Sequence, residues 1–178
     1  MGSSWVEGAR RVPSPNSDSR PEGSKVDLLV VHSISLPRGR YRGDAIERLF
    51  TNRLDPAAHP SFAGLAALRV SSHFLIRRSG ELVQFVPLER RAWHAGVSRW
   101  RARERCNDFS VGVELEGVDD AAFAPAQYAR LVQLLRTLTV RLPLRAIAAH
   151  SDVAPGRKSD PGRGFDWRRV LAALSSYH

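Results

Sequence analysis

A single cysteine, Cys106, is present in 178 residues. One thiol excludes an internal disulfide and any all-cysteine metal site, and it suits a reducing compartment. No stretch approaches the roughly 18–20 consecutive apolar residues that a membrane helix needs, so a soluble chain with no membrane partner is expected. The start, Met1-Gly2-Ser3-Ser4-Trp5-Val6, has neither the basic nor the apolar region of a secretory leader. Val6 also stands where a myristoylation signal carries Ser or Thr, and a cytoplasmic location is expected. Lysine is scarce too: Lys25 and Lys158 are the two, so 25 of the 27 basic residues are arginine.

What is present is ordinary for a folded domain. With 43% hydrophobic, 25% charged and 8% aromatic residues, the chain is neither a disordered tail nor a coiled coil nor a fibrous repeat. Its length fits one domain of roughly 100–200 residues. The formal charge of +9 would suit nucleic acid, but the arginines are scattered and no helix-turn-helix, finger or stacking motif accompanies them. No nucleic-acid partner is expected, although such a field favours anionic ligands.

Residues 1–24 are rich in Arg, Pro, Ser and Asn without an apolar period and read as an irregular arm, leaving residues 25–178 as the folded domain. Residues 26–31 form a short apolar, β-branched run, predicted as a buried strand ending at His32. Asp44 is placed to cap a short helix carrying Ile46, Leu49 and Phe50, and residues 51–68 read as a loop with helical turns. Two β-rich runs, 72–78 and 81–86, flank Ser79-Gly80 and predict a hairpin with a two-residue turn. Residues 109–116 alternate, which predicts a strand with Phe109, Val111, Val113 and Leu115 on one face and Ser110, Gly112, Glu114 and Glu116 on the other. Pro125 opens a helix with Tyr128, Leu131, Val132, Leu135 and Leu138 at helical spacing. Residues 144–149 predict a second buried strand, ending at His150, and Asp166 a cap for a last helix. Strands interleaved with helices, with one hairpin, predict a single α/β domain: a mixed central sheet flanked by helices.

Six histidines, at 32, 59, 73, 94, 150 and 178, are the main chemical resource. His32 and His150 each end a predicted strand, and neighbouring strands would bring both imidazoles to one cleft. Asp160, ten residues after His150 and just before Pro161, completes a set that suits zinc, with a fourth position left for water. On spacing alone this signal is weak, and ordinary hydrogen-bonded histidines near strand ends are the commoner outcome. His73 in the hairpin and His59 before Pro60 read as structural or loop residues, and Cys106 as a small buried apolar residue.

Five segments carry more: Val30-Val31-His32-Ser33-Ile34-Ser35-Leu36-Pro37, Ser72-His73-Phe74-Leu75-Ile76-Arg77-Arg78, Arg91-Ala92-Trp93-His94-Ala95-Gly96-Val97-Ser98, Cys106-Asn107-Asp108-Phe109-Ser110 with Glu116-Gly117, and His150-Ser151-Asp152 with Lys158-Ser159-Asp160-Pro161-Gly162. Together they resemble the zinc-dependent N-acetylmuramoyl-L-alanine amidases, and within them the cytosolic branch of cell-wall recycling that acts on 1,6-anhydro-muropeptides. The likeness runs from about residue 5 to residue 168. It implies the fold shared by type 2 amidases and peptidoglycan recognition proteins, and a zinc ion held by His32, His150 and Asp160. It also implies a catalytic carboxylate at Glu114, a cationic helper at Lys158, and substrate contacts at Arg69, Trp93, His94 and Arg105.

The residues themselves bear on several of these. Glu114 and Glu116 share the predicted polar face, and Glu114 lies beside Gly112, which would let a ligand approach. Lys158 stands out in an arginine-rich chain, as at a position that wants a compact ammonium. Trp93 suits a groove or plain core packing. Ser61, Ser33 and Arg163-Gly164 depart from the family pattern at the cleft rim. The expected protein is a monomeric amidase that cleaves the lactyl–L-Ala amide of an anhydro-muropeptide. The alternatives are an amidase acting on intact peptidoglycan, secreted or phage-type, and a non-catalytic peptidoglycan-binding module.

Overall fold

Short β-branched runs with no polar interruption want burial on both faces, and the chain meets that demand with a sheet covered by helices on each side. The computed structural model describes residues 4–175, so the Met1-Gly2 start and His178 lie outside the described residues. In chain order the elements are β1 (Arg10–Arg11), β2 (Ser17–Ser19), β3 (Leu28–Ile34), α1 (Ala45–Phe50), β4 (Phe74–Ile76), β5 (Leu82–Gln84) and β6 (Arg90–Ala92). There follow β7 (Arg99–Trp100), β8 (Arg103–Glu104), β9 (Ser110–Glu116), α2 (Pro125–Arg141), β10 (Ala146–Ala149), α3 (His150–Val153) and α4 (Trp167–Ser175). Six strands make one mixed sheet in the order β1-β5-β4-β9-β3-β10. β4, β9, β3 and β10 run parallel, β5 returns antiparallel to β4, and β1 lies parallel to β5. The α/β domain with a mixed, helix-flanked sheet is therefore the fold the chain adopts.

One face of the sheet presents Leu29, Val31, Val111, Val113, Leu115, Phe74 and Ile76 to α2 and α4, where Leu131, Leu135, Leu138 and Val170 are fully or almost fully buried. On the other face Leu75 and Val83 pack under α1 through Ile46, Leu49 and Phe50. Farther along it, Leu28, Val30 and Ala148 pack with Cys106, Phe109 and Val153. Cys106 is fully buried, as expected, and burial pushes its thiol pKa up.

Several expectations are corrected. The described part of the arm is not wholly irregular, since β1 extends the sheet edge and β2 pairs antiparallel with β6. Edge pairing needs backbone groups rather than an apolar period, so nothing in the pattern announced it. β3 continues two residues past His32. β9 has all seven residues buried, because it is central and covered on both faces, so its polar side chains do not face open solvent. The hairpin closes with Arg77 N–H donating to the Glu81 carbonyl and Gly80 N–H to the Arg77 carbonyl, which makes a three-residue loop. Gly80 takes φ +85°, the left-handed conformation that loop demands.

Candidate metal centre

Three polar side chains come together at the carboxyl ends of adjacent parallel strands, the place where α/β sheets bind ligands. His32 of β3 is in register with Glu114 of β9. Ala149, the last residue of β10, is in register with Val31, so His150 follows immediately beside His32 at the start of α3. The α3 turn and the loop after it bring Asp160 back: Ser151 N–H donates to the Asp160 carbonyl at 3.0 Å. His32 and His150 are almost fully buried, and Asp160 is partly exposed.

The donor atoms form a tight triangle. His32 Nδ1 lies 2.9 Å from His150 Nδ1, His150 Nδ1 3.1 Å from Asp160 Oδ2, and His32 Nδ1 3.4 Å from Asp160 Oδ2. Ligands on one face of a tetrahedron with bonds of about 2.0–2.1 Å sit about 3.3–3.4 Å apart, so the spacing fits a small divalent ion with only slight opening. The chemistry of the donors agrees. His150 Nε2 faces the Ala95 carbonyl at 3.3 Å and must donate to it, which leaves a lone pair on Nδ1 pointing at the lone pairs of the Asp160 carboxylate. Such a pair repels unless a cation stands between them. The groups fit a metal ion, and burial, which lowers the His32 pKa to about 4, keeps that ring neutral and ready to coordinate.

Glu114 borders this triangle. It is 8% exposed, and its Oε2 is buried without a hydrogen-bond partner. Burial raises its pKa well above the usual carboxylate value; the charge of Asp160 adds to the rise and Lys158 opposes it. A carboxyl so poised beside a metal site is suited to taking and returning a proton.

A sequence model described as N-acetylmuramoyl-L-alanine amidase matches residues 22–163. The chain belongs to this amidase family. Among its relatives, the 1,6-anhydro-N-acetylmuramyl-L-alanine amidase AmpD of Salmonella typhimurium (strain SL1344) is 56% identical over 177 residues, 97% of this chain and 95% of that one. A crystal structure of a selenomethionine derivative of AmpD superposes with a TM-score of 0.95 at 53% identity, covering 97% of this chain and 98% of the other. AmiD from E. coli, solved with the substrate anhydro-N-acetylmuramic acid-L-Ala-D-gamma-Glu-L-Lys, superposes with a TM-score of 0.63 at 29% identity, covering 87% of this chain and 60% of that one. The fold is the type 2 amidase fold.

The other residues expected at the site lie in differing surroundings. Lys158 is exposed and lines, with Ser33, Ser35, Arg38 and Ser159, a cleft of about 310 Å³ that reaches Asp160 of the triangle but neither of its histidines. Trp93 is half-buried, its backbone N–H donating to Ser71 Oγ at 3.0 Å. Arg105 is exposed beside a second cleft of about 530 Å³ and reaches Asp108 at 3.3 Å. Arg69 is exposed and donates to the carbonyls of Ala66, Ala67 and Leu68 in its own loop. His94 is drawn inward: its Nδ1 lies 2.9 Å from His32 Nε2 and its Nε2 3.1 Å from Ser110 Oγ. The space beside Gly112, read from the sequence as room for a ligand, is filled by the His94 ring, which a Cβ on Gly112 would meet at 2.5 Å.

The structure also separates the two glutamates. Glu116 is bound up, accepting from Arg77 Nη1 at 2.9 Å and from the N–H groups of Arg42 and Arg78. His73 accepts the Gly112 N–H at 3.1 Å and faces the Arg90 carbonyl at 3.0 Å, a fully satisfied buried ring. Sequence reasoning missed Asn107, Ser110 and Arg157. Asn107 Oδ1 holds the N–H groups of His94 and Ala95, and Arg157 donates to the Ala95 and Val97 carbonyls. The Cys106-Asn107-Asp108-Phe109-Ser110 run held the signal for the first two, but their partners lie 12 to 16 residues away.

Proposed function

We propose that the chain is a zinc-dependent, monomeric, cytoplasmic amidase that hydrolyses the lactyl–L-Ala amide bond of 1,6-anhydro-N-acetylmuramyl-peptides in cell-wall recycling, with no nucleic-acid partner. The observation that carries this reading is the convergence of His32, His150 and Asp160 beside a buried, unpartnered carboxyl at Glu114, in a chain 56% identical to an AmpD. No helix of the described residues is long and apolar enough to cross a membrane.

His32, His150 and Asp160 are the ligands in this reading. Zinc bound there supplies a Lewis acid and brings the pKa of a water ligand to roughly 7. Glu114, unpartnered and raised in pKa, takes the proton of the attacking water and returns it to the departing L-alanine nitrogen, so the amide C–N bond breaks with a neutral amine as leaving group. Lys158, at the cleft mouth, donates to the carbonyl oxygen as the carbonyl carbon becomes tetrahedral and the oxygen gains charge. Arg105, Arg69 and Trp93 form the outer binding surface, where guanidinium groups pair with carboxylates of the peptide stem.

The test is incubation of the purified chain with an anhydro-muropeptide, with products identified by mass. Stem peptide and anhydro-N-acetylmuramic acid should appear, cease when a chelator removes the metal, and return on addition of zinc. Activity confined to polymeric sacculi, or undiminished by chelation, would overturn the proposal.

A further inference from the structure

A histidine that binds a metal through Nδ1 must carry its proton on Nε2, and the second nitrogen's partner decides whether that tautomer is already present. His32 Nε2 does not face a carbonyl or a carboxylate. It faces another imidazole, His94, which by itself dictates nothing, since a neutral ring offers either a donor or an acceptor at Nδ1.

The direction is supplied farther along. Ser110 Oγ lies 2.6 Å from the Cys106 carbonyl, an atom that can only accept, so the hydroxyl hydrogen is committed there. The lone pairs of Ser110 Oγ then face His94 Nε2 at 3.1 Å, which must donate. The His94 ring is enclosed over Gly112 between the imidazoles of His32 and His73, a place that favours a ring with a single proton, and a donating Nε2 then leaves Nδ1 bare. That bare nitrogen accepts from His32 Nε2 at 2.9 Å, and the His32 lone pair is left on Nδ1, aimed at His150 and Asp160.

We propose that Ser110 and His94 form a one-way hydrogen-bond chain, anchored on the Cys106 carbonyl, that sets the tautomer of His32 before any metal arrives, and that both are positioning residues for the metal site. Reversing the chain would cost the 2.6 Å bond from Ser110 and turn an N–H of His32 toward the site. Gly112 is part of the device, because only a residue without a Cβ leaves room for the His94 ring on the sheet face. The inference rests on the metal-site reading above and extends it from the ligands to the groups behind them.

Long-range ¹H–¹⁵N NMR of the metal-free full chain, labelled at histidine, reads the tautomers directly, and His32 and His94 should both be Nε2–H. In Ser110→Ala, His94 should acquire Nδ1–H character, and zinc affinity, measured by chelator competition, should fall roughly 10- to 100-fold. Ser110→Thr, which keeps the hydroxyl, should restore both. An Nδ1–H form of His32 in the unsubstituted chain overturns the proposal, as does a Ser110→Ala protein with unchanged tautomers and unchanged affinity. Should the alanine protein not fold, the spectrum of the unsubstituted chain decides alone. Failure of the metal reading looks different: both rings Nε2–H in a chain that takes up no zinc.

Discussion

His32 and Glu114 are register partners on β3 and β9, so an imidazole of the candidate metal centre and an unpartnered carboxyl leave the same face of the sheet on neighbouring strands, whose backbones lie about 4.8 Å apart. Both groups are buried, and burial disfavours the charged form of each: it lowers the imidazole's pKa and raises the carboxyl's.

Replacing Glu114 should therefore separate activity from stability. Glu114→Gln is expected to lower kcat by about 10² to 10⁴ while zinc remains stoichiometric. The Tm should not fall, because a buried group without a partner is exchanged for a neutral one of the same shape. Turnover within ten-fold of the parent enzyme would refute the proton-transfer role.

Glu116, two residues on and on the same face, should behave in the opposite way. It accepts from Arg77 at 2.9 Å, while Arg77 also holds Glu47 at 2.6 Å. Glu116→Ala leaves a buried guanidinium short of one partner and is expected to cost roughly 3–5 kcal/mol in urea unfolding, with kcat of the folded fraction nearly unchanged. A stability loss below about 1 kcal/mol would contradict this.

Gly112→Ala should disturb the metal site without touching a ligand. The new Cβ would fall 2.5 Å from His94 Cγ, so the ring that backs His32 has to move. Overpacking of this kind costs about 1–3 kcal/mol, and zinc affinity should drop with it. Calorimetric titration of zinc into the variant is the check; unchanged affinity would mean that His94 is not needed where it sits.

Acid should destabilise the metal-free protein through its buried imidazoles. Burial lowers the pKa of His32 to about 4 and of His73 to about 3, against an ordinary 6.5. Below pH 6.5 the unfolded chain then binds more protons than the folded one, so stability is present above that pH and drains away as pH falls toward 4 and then 3. Glu114, whose pKa is raised, works in the other direction, losing stability as pH rises above the ordinary carboxylate value of 4.5. The profile is cleanest in the Glu114→Gln background, where Tm should fall steadily between pH 7 and pH 4. A flat profile would mean that these rings are solvated.

Much of the sheet was legible from the chain itself. The runs before His32 and His150 are apolar and β-branched, and Pro125 with the apolar spacing behind it announces α2, since burial and helix entry leave marks at fixed intervals. The strands at Arg10–Arg11 and Ser17–Ser19 left no such mark, because an edge strand is held by backbone hydrogen bonds that any side chain permits. Glu114 and Glu116 share one face of one strand, and the chain favoured Glu114 only through the neighbouring Gly112 and the family resemblance. They differ because Arg77 arrives from the hairpin to pair with one and nothing arrives to pair with the other.

The amino-acid sequence alone determined the family, the α/β class and the identity of the groups able to ligate, since these depend on residue types and on periods that a linear string records. Tertiary structure alone decided which nitrogen of each histidine faces the site, which glutamate is left without a partner, and why Gly112 has no side chain. Those outcomes turn on contacts between strands and loops many residues apart, where a few tenths of an ångström and the direction of a single N–H separate a ligand from a structural ring.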